Sequence, residues 1–314
     1  MSHWPRTGLF LMFCQAGIAW QQSQPPNPVP AAQAKLRTGD VAGAAAMLAS
    51  VIRTNPQTGT PVYLLLTDCY LKTQDAKAAE ATLRGGLRVH PDSPVLERAL
   101  GELLFHGKAD STEAGTHLAR AAKLLPRDPE ARHYYAQWAY LNARDRICAQ
   151  QEREALALTG LNDLALLQMY TLLGMCESRL EDADAARTAF EHADQVNSRR
   201  TVYDPVAAMQ YLQFLTRYND DASARRIVDS ILEHVPEFGP AHLEKAKQYD
   251  RANESVRAVD EARLALAKSG NDANVERAAH VLLARCLWAL GDAEGSLREQ
   301  QWIEAHPNPE TPRR

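Results

Sequence analysis

The sequence predicts an all-α fold built as an array of about eight helix–turn–helix hairpins. Three observations carry that expectation. The chain of 314 residues is 45% apolar but only 7% aromatic, and Ala and Leu are abundant while Val, Ile and Thr are spread thinly, a balance that favours helix over sheet. Apolar and small residues recur at three- and four-residue spacing, the period of a helix with one buried face. The whole pattern then returns at steps of 34 to 38 residues, which marks stacked supersecondary units.

Residues 167–197 carry the unit most clearly. LQMYTLLGMCESRL reads as one amphipathic helix, EDADA as a tight connection and AARTAFEHADQV as a second helix. Gly174 lies midway along the first helix, where a neighbouring helix can approach closely. Ala186, Phe190 and Ala193 fall on one face of the second.

The small residue that opens each second helix is traced as Ala44, Ala79, Ala114, Ala149, Ala186, Ala224, Ala258 and Ser296. Seven residues after each stands Val51, Gly86, Ala121, Leu156, Ala193, Ile231, Ala265 or Ile303, always apolar or small, as a buried face requires. Four residues before each stands an acid: Asp40, Asp75, Asp110, Asp145, Asp182, Asp220, Glu254 or Asp292. A carboxylate there can accept from free backbone N–H groups and offset the positive end of the helix dipole, so the eight acids are expected to be caps. Pro56, Pro91, Pro126 and Pro236 lie 12 residues after the small residue, where proline ends one hairpin because it cannot continue the helix.

In this pattern the chain resembles the tetratricopeptide repeat, with KLRTGDVAGAAAMLASVIRTNP and LLGMCESRLEDADAARTAFEHA as its best matches. The resemblance covers roughly residues 31–307. Two departures are Arg153, where a large apolar residue is expected, and Leu212, at a small position. The resemblance implies a right-handed superhelical solenoid whose first helices line a concave groove, and a role in holding an extended segment or a helix of another protein. The paired Lys and Asn pattern with which some members bind a C-terminal carboxylate is missing from YLLLTDCYLK and the stretch before it.

Candidate groove residues come from the last turn of the first helices. Three residues before each capping acid the column reads Arg37, Lys72, Gly107, Asn142, Arg179, Arg217, Arg251 and Ala289, and Lys247 and Arg285 stand one turn earlier in their hairpins. Lys72, Arg179, Arg217, Lys247, Arg251 and Arg285 are the expected partner-binding set, suited to an acidic segment. The competing explanation is that a cation there answers the helix dipole with no ligand present. Phe105, Trp138, Tyr140 and Trp288 also fall on first helices, as groove anchors or as packing between hairpins.

The formal net charge of −4 arises from 35 basic and 39 acidic residues mixed along the chain, leaving no basic block for a run of phosphates, so nucleic acid is not an expected partner. Residues 1–19, with Arg6 ahead of an apolar stretch at 9–18 and Gly17, Ile18 and Ala19 at its end, read as a secretory signal, too short to span a bilayer. That points to a periplasmic or secreted protein. A retained segment would instead indicate a cytosolic chaperone-like or regulatory adaptor. Residues 20–30, rich in Gln and Pro, read as a linker and 308–314 as a tail.

Past the signal the cysteines are Cys69, Cys148, Cys176 and Cys286. Cys69, Cys176 and Cys286 occupy the same repeat position in hairpins two, five and eight and read as buried small hydrophobes. Cys148 and Cys176, in neighbouring hairpins, are the one pair within plausible reach of a disulfide. There is no His-Glu-x-x-His, Cys-x-x-Cys, Gly-x-Ser-x-Gly or phosphate-binding glycine loop, so no metal, cofactor or catalytic set is expected. A groove that takes a small molecule or glycan stays open as a second reading.

Overall fold

The computed structural model describes residues 28–307, and among them it contains sixteen helices and no strand. They pair into eight hairpins, and the fold is an all-α helical repeat. Two compact units divide at 89/90. The first unit holds α1 (Pro28–Arg37), α2 (Val41–Thr54), α3 (Thr60–Lys72) and α4 (Ala76–Val89). The second holds α5 (Pro94–Gly107), α6 (Thr112–Leu124), α7 (Pro129–Leu141), α8 (Asp145–Leu156), α9 (Asp163–Arg179) and α10 (Ala183–Arg199). It continues with α11 (Pro205–Arg217), α12 (Asp221–His234), α13 (Gly239–Arg251), α14 (Ser255–Ala267), α15 (Ala273–Ala289) and α16 (Ala293–Ala305).

Odd-numbered helices are the first of each hairpin. Helix α1 starts at Pro28, inside the stretch read as a linker; proline suits a first helical turn, where its missing N–H has no intrahelical partner. The signal segment and the tail at 308–314 lie outside the described residues.

Each traced small residue is at most 1% exposed, from Ala44 to Ser296, because the two helices of a hairpin meet there. Ser296 keeps its hydroxyl satisfied by donating to Ala284 O at 2.8 Å. Close approach also explains three glycines. A Cβ on Gly174 would lie 2.9 Å from the Phe190 ring, one on Gly101 2.8 Å from Leu118, and one on Gly115 2.2 Å from Trp138.

The acidic column caps in five hairpins. Asp40, Asp75, Asp182, Asp220 and Asp292 accept from the backbone N–H three residues on, at 2.8–3.1 Å. Three acids do not. In the third hairpin the connection is longer, and Ser111 takes the cap from Asp110, accepting from Ala114 N. In the fourth, Arg144 holds the cap position and Asp145 is the first residue of α8. Glu254 stands at the cap, but its longer side chain bonds Arg257 at 2.7 Å instead of the backbone. The residue before the cap adopts the left-handed conformation at Gly39, Gln74, Ala143, Glu181, Asn219, Asn253 and Gly291, which closes the first helix with carbonyl-satisfying bonds such as Asp75 N to Tyr70 O at 2.8 Å.

The joint prolines end their hairpins and also offer acceptors. Pro56 O receives the Tyr63 hydroxyl at 2.8 Å, Pro91 O receives Arg120 at 2.8 Å, and Pro236 O receives Lys268 at 2.8 Å. Arg153, the apolar-position departure, pairs with Glu177 of α9, a carboxylate only 2% exposed. The odd residue in one hairpin thus neutralises a buried charge of the next.

Four hairpins contain a His–carboxylate couple between their two helices. His133 Nδ1 lies 2.6 Å from Glu152 Oε1, His242 Nδ1 2.7 Å from Glu261 Oε2, and His280 pairs with Glu299 in the same way. In the third hairpin the order reverses, with Glu97 on α5 and His117 on α6 at 2.5 Å. Burial pushes the Glu152 carboxyl above its usual range, and His133 opposes that rise.

Candidate functional site

The first helices α13 and α15 pack side by side and leave a cleft of about 540 Å³ between them. Lys247, Asp250 and Arg251 line it from α13, and Asn274, Arg277, Ala278, Val281, Leu282 and Arg285 from α15. The α15 residues recur at three- and four-residue spacing because they share one helix face. Four cations and a single carboxylate therefore surround a floor of Ala278, Val281 and Leu282. Val281 is 48% exposed, so the floor offers apolar surface to solvent.

The cations differ in how firmly they are held. Arg285 is paired with Asp250, and Lys247 with Glu244 at 2.7 Å. Among the described residues Arg251 has only Asp221, at 3.9 Å. Arg277 donates to Ile303 O and His306 O and so closes the end of α16. Exposed pairs of this kind are each worth under about 1 kcal/mol, so an incoming carboxylate can displace them cheaply.

The other expected groove residues lie elsewhere. Arg179 stacks over the Tyr140 ring at 3.6 Å and donates to Tyr140 O at 2.8 Å and Asp145 Oδ1 at 3.4 Å, so it ties α9 to the preceding hairpin. Arg217 has no carboxylate at ion-pair distance among the described residues and sits 6.0 Å from the Tyr218 ring. Lys72 belongs to the first unit and pairs with Asp68 at 2.5 Å. Of the aromatics, Phe105 and Trp138 are buried core, with the Trp138 indole donating to Ser111 O. Trp288 is 68% exposed.

A second cleft, about 320 Å³, lies over α7, α9 and α11. His133 and Gln137, then Gln168, Thr171, Leu172 and Met175, then Asp204, Val206 and Gln210 line it in turn. Sequence reasoning missed this group, as it missed Asn274 and Arg277, because residues from three hairpins meet there without any shared motif. Cys148 of α8 and Cys176 of α9 are joined as a disulfide with Cα atoms 6.2 Å apart. Cys69 and Cys286 are buried free thiols, and burial together with the Asp250 carboxylate pushes the Cys286 thiol up to about 11. No group of three or more metal-ligating side chains occurs among the described residues.

Stacked hairpins with clefts on the first-helix face define a helical-repeat protein. Family models for the tetratricopeptide repeat match residues 35–103 and 167–199. Those two stretches of the chain are tetratricopeptide repeats. No curated protein matches the chain. Solved structures similar to it include the C-terminal part of a TPR repeat-containing protein from Cytophaga hutchinsonii, 10% identical over 80% of this chain and 98% of that one, TM-score 0.60. A tetratricopeptide repeat protein from Parabacteroides merdae is 12% identical over 81% and 97%, TM-score 0.55. Pseudomonas aeruginosa pilF is 16% identical over 79% and 92%, TM-score 0.50. At these identities the likeness is one of fold.

Proposed function

We propose that the chain is a non-catalytic holder of other proteins and that it grips an acidic segment in the cleft between α13 and α15. The observation that carries this reading is the excess of cations over carboxylates around an exposed apolar floor. Arginine and lysine supply charge-assisted hydrogen bonds to Asp and Glu side chains, and the floor accepts an aliphatic neighbour in the same segment. The test uses a blocked fluorescent nonapeptide of alternating Glu and Leu. Lys247→Glu with Arg251→Glu should weaken its binding at least about tenfold at low salt, and wild-type binding should fall as salt rises. Arg179→Glu, outside the cleft, should leave affinity close to wild type. Equal binding by wild type and the double variant would refute the reading. Capture from native extract with both proteins, followed by mass spectrometry, then names the partner.

The same proposal places the protein outside the cytosol, with 1–19 as a removed signal. The apolar stretch at 9–18 supports this, as does a Cys148–Cys176 disulfide of the kind that oxidising compartments preserve. Among the described residues no helix is long and apolar enough to cross a membrane. N-terminal sequencing of native protein should begin at Trp20; Met1 as the first residue would favour the cytosolic adaptor instead.

A further inference from the structure

The column at the end of the first helices has a second regularity: three of its members reach back across a joint to the preceding hairpin. Asn142 donates from its side-chain amide to Ala109 O at 3.0 Å, in the turn of the third hairpin. Arg179 donates to Tyr140 O at 2.8 Å and to Asp145 at 3.4 Å, on either side of the fourth turn. Arg251 stands 3.9 Å from Asp221, the first residue of α12. Lys72, paired with Asp68 of its own helix, and Arg217 do not reach back. Where the fastening occurs, it ties an incoming first helix to the turn of the hairpin before it.

Arg37 holds that column position in the first hairpin. Among the described residues no helix precedes α1, and Arg37 makes no hydrogen bond or ion pair. It shares an exposed face of α1 with Ala31 and Ala34, while Ala32, Val29 and Leu36 pack inward. At the other end of the described array, Trp288 is 68% and Leu297 53% exposed. Both occupy repeat positions that meet the following hairpin elsewhere. Asp250, the counterpart of Trp288, meets Arg285 and Cys286 of α15. Gly115 and Arg187 are counterparts of Leu297: the first lies against the Trp138 ring of α7, and the second reaches Asp220 of the next hairpin at 2.8 Å. An outermost hairpin ordinarily turns a polar face outward. Here two large apolar side chains stand on it, and the stretch NPETPRR at 308–314 carries no large apolar residue to cover them.

We propose that the outward face of α15 and α16 receives α1 of a second copy of this chain, so that copies associate head to tail in the register of the internal joints. Within the chain each such joint seats a first helix on both helices of the preceding hairpin, as α9 sits on α7 and α8 and α15 on α13 and α14. The two faces match in shape, since the small side chains of Ala31 and Ala34 leave room for Trp288 and Leu297. They also match in charge. Arg37 meets the turn closed by Asp292, as Arg179 meets the turn closed ahead of α8. Asp292 Oδ1 accepts from Gly295 N at 2.8 Å, and Oδ2 faces the guanidinium. Such a contact joins unlike faces, so every added copy leaves one face of each kind open.

The test is sedimentation of the full chain over a concentration series. The weight-average mass of wild type should rise with concentration past that of a dimer, with no plateau there. Ala34→Glu with Arg37→Glu blocks the α1 face, and Trp288→Ser with Leu297→Lys blocks the face of α15 and α16. All four side chains are exposed, so helicity and melting temperature should stay close to wild type. Each double variant alone should sediment as a single chain. An equimolar mixture of the two should form a dimer that grows no further, because each supplies the face the other lacks, and added salt should weaken it. The proposal is overturned if wild type remains a single chain at about 100 μM, or if the two blocked variants fail to combine. It is equally overturned if the variant blocked at α1 still self-associates, which is the result for pairing between two like faces.

Discussion

Glu102 illustrates how strongly a single carboxylate is governed by its setting. It faces inward on α5, and burial raises its pKa from 4.5 to about 7, against the opposing pull of Arg98. Arg98 Nε lies 3.3 Å from Oε1, near enough to attract but not aligned to donate, so the oxygen has no hydrogen bond. Between 4.5 and about 7 the folded chain holds a proton that the unfolded chain has released, so this group makes stability fall as pH rises across that window. Glu102→Gln should flatten that part of a melting-temperature profile and raise the melting temperature at pH 8 by a few degrees. The couple of His133 and Glu152 belongs to the same scale and was readable in principle. A His followed 19 residues later by a Glu occurs at His133/Glu152, His242/Glu261 and His280/Glu299. The spacing is obscured in the sequence because a polar pair inside a hairpin breaks the apolar pattern that marks the hairpins themselves.

At the scale of the element, the repeat was legible because interhelical contact tolerates only small side chains at one position, and that constraint writes itself into the sequence eight times. The caps were legible in part. An aspartate near a helix start is informative, but whether it caps depends on the length of the preceding turn, as Asp110 and Asp145 demonstrate. Turn geometry also leaves a correctable cost. Ala143 adopts φ 54° where Gly39 and Gly291 serve in other hairpins, and a Cβ in that conformation costs about 1–2 kcal/mol. Ala143→Gly should therefore stabilise the protein by about 1 kcal/mol in chemical denaturation, with no change of secondary structure. Unaltered or lower stability would mean that the turn is held by something other than backbone preference.

For the whole molecule, a repeat array is a chain of nearest-neighbour interfaces, and its stability is distributed along its length. The cationic cleft was partly legible, since Lys247, Arg251 and Arg285 were marked by repeat position and the structure gathers those three. Arg179 and Lys72 share the same column but are occupied locally, a difference that only side-chain packing decides. The fourth and fifth hairpins are fastened more firmly than the column pattern implies, by the Cys148–Cys176 disulfide and the Arg153–Glu177 pair. Removing the disulfide by Cys148→Ala with Cys176→Ala should cost about 3–4 kcal/mol on loop-closure grounds. Hydrogen exchange should report the loss around α8 and α9, with α15 and α16 much less affected. Full protection at α8 and α9 in that variant would refute the assignment of a staple there.

The His–carboxylate couples bear on how such a chain can be rearranged. Each lies wholly within one hairpin, so a breakpoint at a joint proline moves donor and acceptor together, whereas a breakpoint in the turn at Asn142 would separate His133 from Glu152 and leave a carboxylate sealed from water with no counterpart. Chimeras cut at a joint proline should therefore fold and those cut inside a coupled hairpin should not, while a cut between the fourth and fifth hairpins, crossed by the disulfide and the Arg153–Glu177 pair, should also fail.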